Sequence, residues 1–83
     1  YALIYSDDAL QKLKKLEKET QRRIINTLER IRIRPAPHIQ RLVGCPYFKL
    51  RVGDYRVILD ITEAPLLILV IDVGHRKNVY DRI

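Results

Sequence analysis

The sequence predicts an α+β fold: a two-helix hairpin packed on a mainly antiparallel four-stranded sheet, in the order β-α-α-β-β-β. Three observations predict it. Two successive stretches, after Ser6 and after Thr20, repeat apolar residues at helical spacing. The segment "YFKLRVGDYRVILDI", Tyr47 to Ile61, has two runs of period-two alternation around Gly53-Asp54, a two-residue hairpin signal. The run "LLILVIDV", Leu66 to Val73, is apolar on both faces except at Asp72, as a central strand would be. With 83 residues, the whole chain, 1–83, reads as one domain with a modest core.

Each element follows in order. Tyr1 to Tyr5 is a short strand, expected to join the sheet beside the last one. Ser6 caps the first helix, with Asp7 and Asp8 in the first turn, where the helix dipole favours acid. Leu10, Leu13 and Leu16 form its apolar stripe, while Lys12, Lys14, Lys15 and Lys18 face elsewhere. Thr20 caps the second helix, Ile24, Leu28 and Ile31 supply its stripe with Ile25 beside it, and Pro35 and Pro37 stop it. The basic residues of both helices read as a solvated face, and no chemistry is assigned to them. "HIQRLVGC" reads as a loop, with His38 a loop residue. In the hairpin that follows, Val52 faces Tyr55, Arg51 faces Arg56, Leu50 faces Val57 and Phe48 faces Leu59. Ala64-Pro65 turns the chain into the last strand, and Gly74 ends it. The chain lacks an initiating Met and opens inside a strand, so we expect the natural N-terminus to lie upstream.

Composition narrows the function. Sixteen Lys+Arg against ten Asp+Glu give a net charge of +6, which favours an anionic partner: RNA, DNA or an acidic protein segment. No run is long or apolar enough to span a membrane and no signal peptide is visible, so no membrane partner and a cytoplasmic location are expected. The single Cys45 has no Cys or His partners at metal-ligand spacing; it reads as a structural thiol, and neither metal nor cofactor is expected.

The hairpin poses the main question. One face, Phe48, Leu50, Val52, Tyr55, Val57 and Leu59, is apolar. The other carries Lys49, Arg51 and Arg56, with two arginines opposed, and like charges across a strand pair are destabilising. Asp60, diagonal to Lys49, offsets little of this. The last strand then delivers "GHRKNVY". If it pairs beside the hairpin, its end gathers Lys49, Arg51, Arg56, His75, Arg76 and Tyr80 in one concave patch. Cations with an imidazole and a phenol, and no carboxylate cluster, suit a phosphodiester and suit neither a metal nor a glycoside. RNA carries its own nucleophile, the 2′-hydroxyl. Cleavage beside it needs a base for that proton, cations for the phosphorane and an acid for the departing 5′-oxygen. Alternatives stay open at several positions. Tyr80 either serves the site or closes the core edge, and His75 either serves it or bonds backbone after the strand. Asp72 either orients a cation or sits at a strand end. Tyr47 is a candidate platform for stacking a base.

"YFKLRVGDYRVILDI" followed by "LLILVIDVGHRKNVY", with "DALQKLKKLEKETQRRI" and "HIQRLVG" before them, closely resembles the RelE toxins of bacterial and archaeal toxin–antitoxin pairs, within the RelE/ParE superfamily. The likeness covers nearly the whole chain. It implies a ribosome-dependent, metal-independent endoribonuclease that cuts messenger RNA in the A site and halts translation. It also implies a RelB-like antitoxin that wraps the toxin and alone carries the complex to promoter DNA. By motif position Lys49, Arg51 and Arg56 correspond to electrostatic stabilisers, Arg76 to an acid or leaving-group stabiliser and Tyr80 to the base; Tyr47 and Lys77 are further candidates for RNA contact. The sequence departs from the family in three ways: Arg51 stands where a lysine can occur, His75 where histidine is not general, and the C-terminal helix of some relatives is absent. The alternative within the superfamily is a ParE-like protein that inhibits DNA gyrase by binding it, without RNA cleavage.

Overall fold

A computed structural model describes residues 1–75. Its elements are β1 (Ala2–Tyr5), α1 (Asp7–Lys14), α2 (Lys18–Ile31), a 3-10 turn (Ala36–His38), β2 (Ile39–Arg41), β3 (Phe48–Val52), β4 (Tyr55–Glu63) and β5 (Leu66–His75). They form one five-stranded sheet in the order β1-β5-β4-β3-β2. β1 runs parallel to β5, the neighbour expected for it, and every other pairing is antiparallel. The fifth strand is β2, inside the segment that reads as a loop. Its three residues, shortly after Pro35 and Pro37, are too few to show alternation.

The helices form where their caps dictate. The Ser6 Oγ accepts from the Ala9 amide at 3.1 Å and donates to the Ile71 carbonyl at 3.0 Å, so one hydroxyl both starts α1 and ties it to β5. The face that α1 buries is Ala9 and Leu13, with Leu16 half-buried; Leu10, expected in the stripe, is 38% exposed. The second helix starts at Lys18, ahead of the expected cap at Thr20, with Glu17 as N-cap. The Gln21 side-chain amide donates to the carbonyls of Leu16 (2.7 Å) and Lys14 (3.3 Å), satisfying the end of α1 and holding the turn between the helices tight. α2 buries Ile24, Leu28 and Ile31 as expected, and leaves Ile25 outside.

The hairpin register is the expected one: Phe48↔Leu59, Leu50↔Val57, Arg51↔Arg56 and Val52↔Tyr55. Gly53 takes φ +59° and no non-glycine residue among those described has positive φ, which fits a type II′ turn with glycine at its first central position. Along β4 and β5 the register shifts between Ile58 and Leu59, because Ile71 is an extra residue on β5. This bulge lets Val70 and Val73, three apart, both join the core against the helices. It also places Asp72 opposite Ile58.

Asp72 is 6% exposed. Its Oδ1 accepts from the Lys12 ammonium at 2.6 Å and from the Val73 amide at 3.0 Å. Asp8, itself exposed, also reaches the Lys12 ammonium, at 3.2 Å. Lys12 therefore belongs to a partly buried ion pair that docks α1 on the bulge, not to the solvated face where its sequence context puts it.

Candidate functional site

The alternation that buries Leu50, Val57 and Leu59 against the helices turns Lys49, Arg51 and Arg56 to the opposite face of the sheet. These three side chains line a pocket of about 310 Å³, together with Pro37, His38, Ile39 and Gln40. β2 builds the near wall: Gln40 pairs with Lys49, so both project on the pocket side, and the 3-10 turn brings His38 to the rim. Arg51 is exposed, Lys49 half-buried and Arg56 only 7% exposed. Beside Arg56 on β5 stands Gly74, which has no side chain.

No carboxylate lines the pocket among the described residues. Asp60, expected to offset Lys49, forms no ion pair among them. Arg41, the other cation of this region, lies over the Phe48 ring at 5.5 Å and stays with the apolar face. Three cations, two of them guanidinium groups, therefore converge on a concave surface. Such an array binds an anion with planar, fork-like donors and stabilises negative charge that develops on it.

The structure does not bring every candidate to this pocket. His75 pairs with Tyr55, and its ring meets the Tyr55 ring edge-on, with centroids 5.7 Å apart and planes at 75°. Tyr55 packs against the core, so His75 sits on the helix side of the sheet, away from Arg51 and Arg56. The strand continues to His75, and its parity decides the matter. Tyr47 precedes β3 and does not line the pocket; its carbonyl accepts from the Leu42 amide at 3.0 Å. Arg76, Lys77 and Tyr80 lie outside the described residues. Conversely, His38 and Gln40 line the pocket although the sequence assigns neither a role; the pairing of β2 with β3 brings them there.

Comparison with known proteins gives this architecture its class. Residues 3–80 match the model of the family described as ParE toxin of type II toxin-antitoxin system, parDE. The match spans nearly the whole chain, and the chain belongs to this family of toxins, within the RelE/ParE superfamily. A protein of Escherichia coli described as a RelE-like toxin is 29% identical over 81 residues, covering 94% of this chain and 85% of that one. Solved structures agree on the fold. The archaeal RelE–RelB complex from Pyrococcus horikoshii OT3 matches with a TM-score of 0.81 at 22% identity, over 94% of this chain and 97% of that one. The intact E. coli RelBE toxin–antitoxin complex matches at 0.76 and 25% identity, over 90% and 95%. The YoeB/ParE toxin from Agrobacterium tumefaciens matches at 0.77 with 12% identity, over 92% and 99%. The RelE-like α+β architecture expected from the sequence is therefore found, with one strand more than expected.

Proposed function

We propose that this toxin is a ribosome-dependent endoribonuclease that cuts messenger RNA in the A site without a metal. The observation that carries the reading is the Lys49–Arg51–Arg56 array around a pocket with no lining carboxylate among the described residues. In the proposed reaction the RNA 2′-oxygen attacks the adjacent phosphorus as its proton passes to a base. A phosphorane forms, and the bond to the 5′-oxygen breaks as that oxygen takes a proton from an acid. The products are a 2′,3′-cyclic phosphate and a 5′-hydroxyl. Arg51 and Arg56 hold the non-bridging oxygens, whose charge grows in the phosphorane, and Lys49 adds to the field. The family resemblance assigns the base to Tyr80 and the leaving-group role to Arg76. His38, at the rim, is placed to contact the phosphate or the neighbouring base.

A RelB-like antitoxin is the proposed partner, since RelE relatives of this fold were solved as RelE–RelB complexes. Its task would be to cover the cationic pocket. A second reading is supported by the family model, which is that of ParE toxins: binding and inhibition of DNA gyrase, with no RNA cut. Two assays separate them. Cleavage of a defined messenger on programmed ribosomes, reduced by Arg56→Ala and Tyr80→Phe, supports the nuclease. Inhibition of gyrase supercoiling with the messenger intact supports the second reading.

A further inference from the structure

A second cationic groove of about 410 Å³ lies between α2 and the tip of the β3–β4 hairpin, lined chiefly by Arg23, Asn26, Thr27, Arg30 and Arg51. Arg23, Thr27 and Arg30 fall at i, i+4 and i+7, one stripe of α2 beside its buried stripe. The Arg23 guanidinium rests on the turn: a Cβ at Gly53 would lie 3.2 Å from one of its nitrogens. Arg51 Nε leans toward the same turn, 3.4 Å from the Gly53 carbonyl. Two guanidinium groups from different elements thus flank one glycine.

Among the described residues Lys12 meets Asp8 and Asp72, and Arg32 meets Glu29. Arg23, Arg30 and Arg51 form no salt bridge among the described residues. Arg51 lines both this groove and the pocket that contains Arg56. The two cavities are therefore joined through one side chain into a basic track that runs from the open face of the sheet, past the hairpin tip, to α2.

We propose that this groove is a second phosphate-binding subsite, which holds the backbone of a single-stranded nucleic acid on one side of the nucleotide bound at the Lys49–Arg51–Arg56 pocket. The proposal rests on the RNA-directed reading above. An acidic protein segment is the competing occupant, and the lining argues against it. The buried core of a protein interface is largely apolar and depleted of charge, and here Val52, itself 8% exposed, is the sole apolar residue in the lining apart from Gly53. Guanidinium and amide groups without an apolar floor suit a phosphate backbone.

The test uses an uncleavable 2′-O-methyl RNA strand of about ten nucleotides, within the usual span of single-strand sites, titrated by fluorescence anisotropy over a salt series. Arg23→Gln/Arg30→Gln is compared with Lys14→Gln/Lys15→Gln, which removes the same charge from exposed positions at the end of α1. All four side chains are exposed, so thermal melts should match wild type. The expected result is roughly tenfold weaker binding at low salt for the α2 variant, with a log–log salt slope shallower by about 1.4, or about 0.7 for each phosphate left without its arginine. The α1 variant should stay within about twofold of wild type. Equal losses in the two variants overturn the subsite. So does tighter binding of polyglutamate than of RNA, if the α2 variant abolishes it. A wild type that binds no RNA even at low salt overturns both the subsite and the RNA reading. A wild type that binds but does not cleave on ribosomes removes only the nuclease, and the two variants still decide the groove.

Discussion

Arg51 and Arg56 stand directly opposite each other across the β3–β4 hairpin, yet Arg51 is open to solvent and Arg56 is only 7% exposed. The apolar side of the hairpin dictates this pairing. Sliding either strand by one residue would turn Leu50, Val52 and Val57 out of the core. Register is thus fixed by burial, and the repulsion on the far face is accepted with it. An acid at position 51, the exposed one of the two, would relieve the repulsion.

The first prediction follows from that conflict. Arg51→Glu places a carboxylate opposite Arg56 and should stabilise the protein by about 0.2–1 kcal/mol. The same change should reduce RNA cleavage about 10²-fold or more, because it removes a cation from the pocket and adds an anion. Urea denaturation and a ribosome cleavage assay on one preparation measure both. A loss of stability would show that the opposed arginines do not repel.

The Lys12–Asp72 pair predicts an asymmetry between two acids. Lys12→Ala leaves Asp72, with its side chain 9% exposed, without the ammonium 2.6 Å away. Because about a quarter of Lys12 faces solvent, the cost is set below that of a fully buried pair, at about 1–3 kcal/mol. Asp8→Ala removes only the exposed partner and should cost about 0–0.5 kcal/mol. Equal costs in denaturant melts would mean that the contact to Asp72 contributes nothing special.

Tyr5 supplies a pH test. Its hydroxyl is buried and meets no hydrogen-bond partner among the described residues. Burial raises its pKa above the ordinary 10.0, the negative charge of Glu29 raises it further, and Arg32 opposes the shift. The folded chain thus keeps the phenol protonated past the pH at which the unfolded chain releases it. That contribution to stability is complete below pH 10 and is lost as pH rises through the folded value. Tyr5→Phe should be neutral or stabilising by up to about 1 kcal/mol at pH 7, and its advantage over wild type should grow above pH 10. An advantage that shrinks there would contradict the assignment.

The two histidines separate by location. His38→Ala should lower cleavage by about tenfold, since His38 lines the pocket. His75→Ala should change it less than about twofold, since His75 lies against Tyr55 on the helix side. Single-turnover rates on programmed ribosomes compare them, and the reverse order would return His75 to the site.

These contrasts mark what the sequence can reveal. Strict alternation around Gly53-Asp54 is enough to set the hairpin register residue by residue, and with it the convergence of Lys49, Arg51 and Arg56. Local signals fail where tertiary contact decides. β2 is three residues long and follows two prolines, so its pairing, which brings Gln40 and His38 to the pocket, leaves no periodic trace. Lys12 resembles its lysine neighbours until the Ile71 bulge presents Asp72 to it. In the eight-residue α1, Ala9 takes the inward position that helical spacing offers to the larger Leu10. His75 departs from the expected patch because β5 continues through Gly74, and one more strand residue reverses the face.

The proposed function has the guanidinium groups on the open face of the sheet act on an RNA phosphate. Its most direct measurement is cleavage of a defined messenger in the A site of programmed ribosomes, with either a ribose or a single 2′-deoxyribose at the cut position. Wild type should cut the ribose messenger and not the deoxy one. Arg51→Ala, a change at an exposed position, should cut about 10²–10³-fold more slowly, with a melting temperature at or slightly above that of wild type. Equal cutting by wild type and Arg51→Ala, or cutting of the deoxy messenger, would contradict it.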